Sequence, residues 1–247
     1  MKAYLIFQLY GPMASWGDIA VGENRPGFLH PSKSAIMGLV AAALGVSRDQ
    51  EATHRRLAEG YGFAVRIDCA GTPLSDYHTA QVPPSGTGRN KIRFATRRDE
   101  LETLPREKLK TILSKRGYRA DAFATIALWA RTSPPYSLAS VAEALKHPAY
   151  TLYLGRKSCP LALPVAPQLM EAVTIREALS KAVFGDFEGL YPLLRLRSSR
   201  PALYWDPDGV SGIPAEQTFE RRDLPLSRKR WQFDIRQERH ANLGRED

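Results

Sequence analysis

At 247 residues, 43% hydrophobic and 25% charged, the chain has the length and composition to bury a real core, as one large domain or two small ones. Its net charge of +9 points to a polyanionic partner. Nucleic acid fits better than a membrane, because no basic amphipathic helix with a broad apolar face is present.

Lys2 to Tyr10 reads as a strand. Ala3, Leu5, Phe7 and Leu9 form one apolar face, and Tyr4, Ile6 and Tyr10 make the other largely apolar too, so the strand is expected to be central and covered on both sides. Gln8 interrupts this run and Gly11-Pro12 ends it, which does not fit a secretory signal. Gly11-Pro12-Met13-Ala14-Ser15-Trp16-Gly17 follows as a shaped loop, with Trp16 either a core plug or a stacking platform. Residues 18–30 look irregular around Arg25-Pro26-Gly27. A helix is predicted over 33–44, with Ile36, Met37, Val40 and Leu44 at helical spacing and Gly45 as its stop. Its start carries Ser32, Lys33 and Ser34, where exposed N–H groups suit a phosphate, although hydroxyls at that place also serve as plain caps. A short charged helix over 48–59 precedes the clearest alternation in the chain. There Tyr61, Phe63, Val65, Ile67 and Cys69 mark a strand.

Residues 70–122 have no sustained apolar face. From 86 to 119, eleven Lys or Arg face four acids, an excess of seven that is most of the charge of the whole chain. An insertion reaching out along a nucleic-acid strand accounts for both the length and the charge; a flexible solvated loop is the plainer reading. Strand character returns over 123–131. A helix is predicted over 137–146, with Ser140 and Glu143 fitting a capping box.

Tyr150-Thr151-Leu152-Tyr153-Leu154-Gly155-Arg156-Lys157-Ser158-Cys159-Pro160-Leu161 comes next. The apolar run reads as a strand over 150–154. Gly155 permits φ > 0 or a close backbone approach, Arg156 and Lys157 suit a phosphate, and Tyr153 offers a face to a base. By itself the stretch also reads as a surface turn with two solvated cations.

The order strand, helix, strand, insertion, strand, helix, strand matches the split βαβ arrangement of an α+β, ferredoxin-like fold. Residues 1–165 are expected to form this core, with 79–119 as an inserted basic segment. Residues 166–247 are read as a smaller β-rich extension, with short strands at 191–197, 202–205 and 229–235 and a mobile tail from about 237.

The two cysteines, Cys69 and Cys159, are far apart, and the histidines (His30, His54, His78, His147, His240) include no pair at ligand spacing. Neither disulfide, metal nor cofactor is expected. No segment approaches a membrane span, so a cytoplasmic protein without membrane contact is expected.

Four blocks are more specific: residues 11–17 after the opening strand, Pro31 to Leu39, Asp76-Tyr77-His78-Thr79, and Tyr150 to Leu161. Their order over the first two-thirds of the chain resembles the CasD family of the type I-E CRISPR Cascade complex, within the RAMP superfamily; the C-terminal third matches only loosely. The resemblance implies a ferredoxin-like fold and a non-catalytic subunit of antiviral defence that grips the 5′ handle of crRNA. It implies a thumb touching the neighbouring CasC backbone subunit and the RNA, with CasA as a further partner and target DNA reached only through the complex. RNA contacts are then expected from Lys33, Ser34, Arg116, Tyr153, Gly155, Arg156, Lys157 and Ser158, and further from Trp16, Arg25, Tyr77, His78, Arg89, Lys91 and Arg93. The insertion is longer around 83–100 than the family leads one to expect.

The rival reading is a metal-independent endoribonuclease acting on CRISPR repeat RNA. It needs a base for the 2′-hydroxyl, an acid for the leaving oxygen and cations for the phosphorane charge, for which Tyr77, His78, Lys33 and Lys157 are the candidates. A generic single-strand RNA-binding module needs only the basic insertion and aromatics.

Overall fold

The computed structural model describes residues 1–84, 94–185, 189–194, 201–227 and 230–244. In chain order the elements are β1 (Lys2–Tyr10), β2 (Met13–Ala14), β3 (Asn24–Arg25), α1 (Lys33–Ala43), α2 (Glu51–Gly60), β4 (Tyr61–Cys69), β5 (Thr72–Val82), α3 (Arg97–Glu102), β6 (Lys110–Ala120), β7 (Phe123–Ala130), α4 (Leu138–Lys146), β8 (Gln168–Ala172), α5 (Ile175–Lys181), α6 (Leu190–Leu193), β9 (Ala202–Trp205), β10 (Gln217–Ser227) and β11 (Gln232–Asn242).

Seven strands form one sheet in the order β10-β11-β9-β4-β7-β1-β8. β1 is antiparallel to both β7 and β8, and β4 is antiparallel to β7. The apolar character of both faces of β1 has a direct cause: the sheet has a core on each side. On one face Leu5, Phe7, Leu9, Phe63, Val65 and Ile126 meet Ile36, Met37 and Val40 of α1 and Val141 and Leu145 of α4. On the other, Tyr4, Ile6 and Trp129 meet Ile175 and Leu179 of α5 together with Phe184 and Tyr191.

The predicted strands at 2–10, 61–69, 123–131 and 202–205 and the helix at 33–44 are present within a residue or two, and Ser32 caps α1 by accepting from the Ala35 N–H. Other expectations change. α4 is capped by Ser137, which accepts from Ser140 N–H; Ser140 stands three residues inside the cap, so no Ser140–Glu143 capping box forms. Residues 150–154 are not a strand. Leu152 and Leu154 are apolar because the segment lies against the core, while the N–H groups of Ala149 and Tyr150 bond the carbonyls of Ala43 and Ala42 at the end of α1. The strand beside β1 is instead β8, a short edge whose exposed positions dilute the apolar pattern.

The C-terminal third also differs. Residues 191–193 are helical and 195–197 lie outside the described residues. The strand expected at 229–235 begins at Gln232 and runs to Asn242, so 237–242 are not a mobile tail: Glu238, His240 and Ala241 are buried there. β9, β10 and β11 extend the main sheet.

Residues 70–122 hold two long strands rather than a featureless insertion. β5 and β6 pair antiparallel from Thr72↔Ala120 to Val82↔Lys110, with α3 between them in sequence. This arm shows little apolar period because neither of its faces is covered along its whole length: β5 is mostly exposed, and on β6 only Ser114 and Tyr118 are buried, so main-chain pairing defines most of it.

Candidate nucleic-acid interface

Four segments distant in sequence meet at the base of the arm. β2 pairs with β6 through Met13↔Ala120 and Ala14↔Arg119, and β3 runs parallel to β6 through Asn24↔Lys115 and Arg25↔Arg116. The Ser15 hydroxyl donates to the Gly117 carbonyl (3.0 Å), and the Ser15 N–H donates to the Leu154 carbonyl (2.9 Å). At the crossing of β6 with the 24–27 segment, a Cβ on Gly117 would stand 2.5 Å from the Gly27 nitrogen, so only glycine allows this approach. Gly155 has φ +85°, and a Cβ there would stand 1.9 Å from the Ser15 carbonyl oxygen. Its requirement is twofold: a left-handed backbone and direct packing on the 11–17 loop.

This packing sets the cations. Arg156, half-buried, donates to the Tyr118 hydroxyl (2.9 Å), with its guanidinium carbon 4.9 Å from the ring centroid. Arg116, also half-buried, donates from Nε to Ser114 Oγ (3.1 Å). Arg25, Lys115, Lys157 and Ser158 are exposed around them, and Tyr153 is half-buried, bridged to Pro160. Arg119 is committed elsewhere: it donates to the carbonyls of Ala70 and Gly71, and burial lowers its pKa. The Cys159 thiol is pushed up by burial, against the lowering influence of Ser158 and Arg156, which keeps it protonated and unreactive.

Three expected contacts sit elsewhere. Lys33 is 1% exposed, and its ammonium donates to Asp206 Oδ2 (2.7 Å). Its backbone N–H donates to Asp223 Oδ2 (2.8 Å), so a protein carboxylate already occupies the α1 N-terminus where a phosphate was expected. Ser34 is buried beside Ser32, the two hydroxyl oxygens 3.0 Å apart. Neither residue presents itself to a ligand. Trp16 is 5% exposed within the core, which resolves it as a plug rather than a stacking platform.

The arm separates two further candidates. Tyr77 (66% exposed) and His78 are neighbours in β5 and project to opposite faces of the ribbon. His78 Nδ1 lies 3.9 Å from Asp76 Oδ2. With Lys33 buried against Asp206, the four residues considered for cleavage do not converge. Arg89, Lys91 and Arg93 lie outside the described residues. Among the described residues no three His, Cys, Asp or Glu side chains gather as a metal site would need, and no helix is long and apolar enough to cross a membrane.

The residues sequence reasoning passed over are Ser114 and Tyr118, which accept from the two arginines, and Ser15, which ties the 150–161 loop to β6. Only the alternation Ser114-Lys115-Arg116-Gly117-Tyr118 hints at a strand carrying two polar anchors on the face of Arg116.

The chain is similar to several known proteins. The family model described as CRISPR-associated protein (Cas_Cas5) matches residues 4–239. The "CRISPR system Cascade subunit CasD" of Escherichia coli (strain K12) is 34% identical over 187 residues, 72% of this chain and 76% of that protein. A chain of a "CRISPR RNA-guided surveillance complex" superposes with a TM-score of 0.66 at 24% identity, over 97% of this chain and 90% of the other. A second structure, "Crystal structure of Cas protein", gives 0.64 at 24% identity over 98% and 96%. These two establish likeness of fold. The match of the family model across nearly the whole chain, with the curated relative, places the protein in the CRISPR-associated Cas5 family.

Proposed function

We propose that this chain is a subunit of a Cascade-type CRISPR surveillance complex that binds and caps the 5′ handle of crRNA without cutting it, in antiviral defence. The observation that carries the reading is the junction at the base of the arm, where Arg156 on its loop and Arg116 on β6 are both held half-exposed, with Arg25, Lys115 and Lys157 around them. Such an array positions phosphates and reads few base edges, which suits a fixed RNA end. The name of the E. coli relative supports the assembly. The sub-order β8-β1-β7-β4, with α1 leading from β1 toward β4 and α4 from β7 to β8, supports a ferredoxin-like core of the RAMP kind.

The arm is inserted between the second and third strands of that core and serves as the thumb toward the CasC backbone subunit and the RNA. CasA is the further protein partner, and target DNA is reached only through the complex. The separation of Tyr77, His78 and Lys33 supports a gripping rather than a cutting role. The test is co-expression with the other Cascade subunits and a CRISPR array, followed by sequencing of the 5′ ends of co-purified RNA. Uniform repeat-derived ends are expected, retained less well at 0.3 M salt, on the order of a few hundred millimolar, by the Arg156→Ala/Lys157→Ala variant. Heterogeneous ends, or undiminished retention, would sink the reading. A His78-dependent product from repeat RNA in EDTA would replace it with the endoribonuclease.

A further inference from the structure

The loop and the arm each contribute one guanidinium, and both are anchored on the same strip of β6. Ser114, Arg116 and Tyr118 alternate onto one face of that strand, about 7 Å between successive members. Ser114 receives Arg116 Nε at 3.1 Å, and Tyr118 receives Arg156 Nη1 at 2.9 Å while its ring lies under the guanidinium. Tyr118 is itself packed in place. It is 9% exposed, belongs to the core, pairs with Leu74 across the arm, and follows the Gly117 that packs on Gly27. A guanidinium has five N–H donors, and one bond to a hydroxyl fixes its plane while leaving the rest of the fork for an anion.

The geometry points to Tyr118 as a positioning residue for RNA: through its hydroxyl and ring it holds Arg156 against the β6 face that also carries Arg116, so that loop and arm grip the phosphate backbone as one unit. This rests on the reading of Arg156 as an RNA contact. The arrangement places the cost of orienting Arg156 in the fold rather than in binding. It also gives Arg156 a role that lysine cannot fill, because a point charge lacks the fork that meets both the hydroxyl and a phosphate.

The test is a double-mutant cycle in the assembled complex, with a synthetic guide RNA labelled at its 5′ end and dissociation followed at fixed salt. Tyr118→Phe keeps the buried ring and removes only the hydroxyl; it is expected to speed dissociation about five- to tenfold. In an Arg156→Ala background the same change is expected to do nothing. Equal loss in both backgrounds means that Tyr118 acts through folding and overturns the proposal. No loss from Tyr118→Phe, with loss from Arg156→Ala, overturns the positioning role and leaves the RNA contact standing. No loss from Arg156→Ala overturns both. If Tyr118→Phe fails to assemble, Arg156→Lys probes the same contact from the other side: loss comparable to Arg156→Ala supports the proposal, and wild-type dissociation overturns it.

Discussion

Two residues chosen for the same chemistry, Lys33 and Arg156, meet opposite fates for a physical reason. Both are cations beside small residues in motif-like stretches. Lys33 points into the body, where Asp206, 173 residues away in sequence, neutralises it. Burial lowers its pKa, and the attraction of Asp206 only partly offsets that. Removing one partner of such a pair is costly because the other is left buried and charged. Arg156 stays at the surface because Gly155 turns the chain on the Ser15 carbonyl. Gly155→Ala is therefore expected to cost at least about 2 kcal/mol, since φ +85° is strained for a side chain and the Cβ has no room. Urea unfolding measures it; an unchanged midpoint would mean that the loop leaves the 11–17 segment freely.

At the scale of elements, periodicity was informative where an element has one dry face or two, and silent where it has none. β1, β4 and β7 were legible because both or one of their faces build a core. The arm strands were not, since along most of their length the pairing is made by backbone in water. The 150–154 run misleads in the other direction: its leucines are buried from a loop. β11 shows how a polar-looking strand is structural. Its Arg236 and Glu238 look like a solvated tail, yet Arg236 binds Asp206 and Asp223, and Glu238 accepts from Arg236 and Arg221. A chain ending at Arg236 loses Glu238 and the pairing of Arg239 to Asn242 with β9. It is expected to lose cooperative unfolding as followed by circular dichroism. A truncated protein with an unaltered melting temperature would show that β11 contributes nothing beyond that point.

At the scale of the whole molecule, charge is divided between two settings. The 86–119 stretch carries most of the formal excess, whereas the body buries a network in which Lys33, Arg221 and Arg236 meet Asp206, Asp223 and Glu238, with Arg131 and Asp208 at its edge. Burial alone would raise Glu238. The hydrogen bond and charge of His30, with Arg236 and Arg221, outweigh burial and hold it at about 2, below its ordinary 4.5. A carboxylate depressed in the folded state contributes stability that is present above pH 4.5 and lost as pH falls toward 2. That contribution is roughly 3 kcal/mol. Glu238→Gln is expected to be less stable at neutral pH and to show a flatter acid limb between those values in urea titrations. An acid limb as steep as that of the wild type would assign acid sensitivity to other groups.

The sequence by itself determined the α+β class, the strands and helices with dry faces, the basic insertion, and a Gly-Arg-Lys loop suited to phosphate, because these depend on local spacing and residue chemistry. Tertiary structure decided which cations reach solvent. It buried Lys33 against C-terminal carboxylates and Ser34 beside Ser32, made Trp16 a plug, set Tyr77 and His78 on opposite faces, and brought Tyr118 under Arg156. Each of these depends on a partner far along the chain or on which face of an uncovered ribbon a residue takes, and neither is written in the spacing of neighbouring residues.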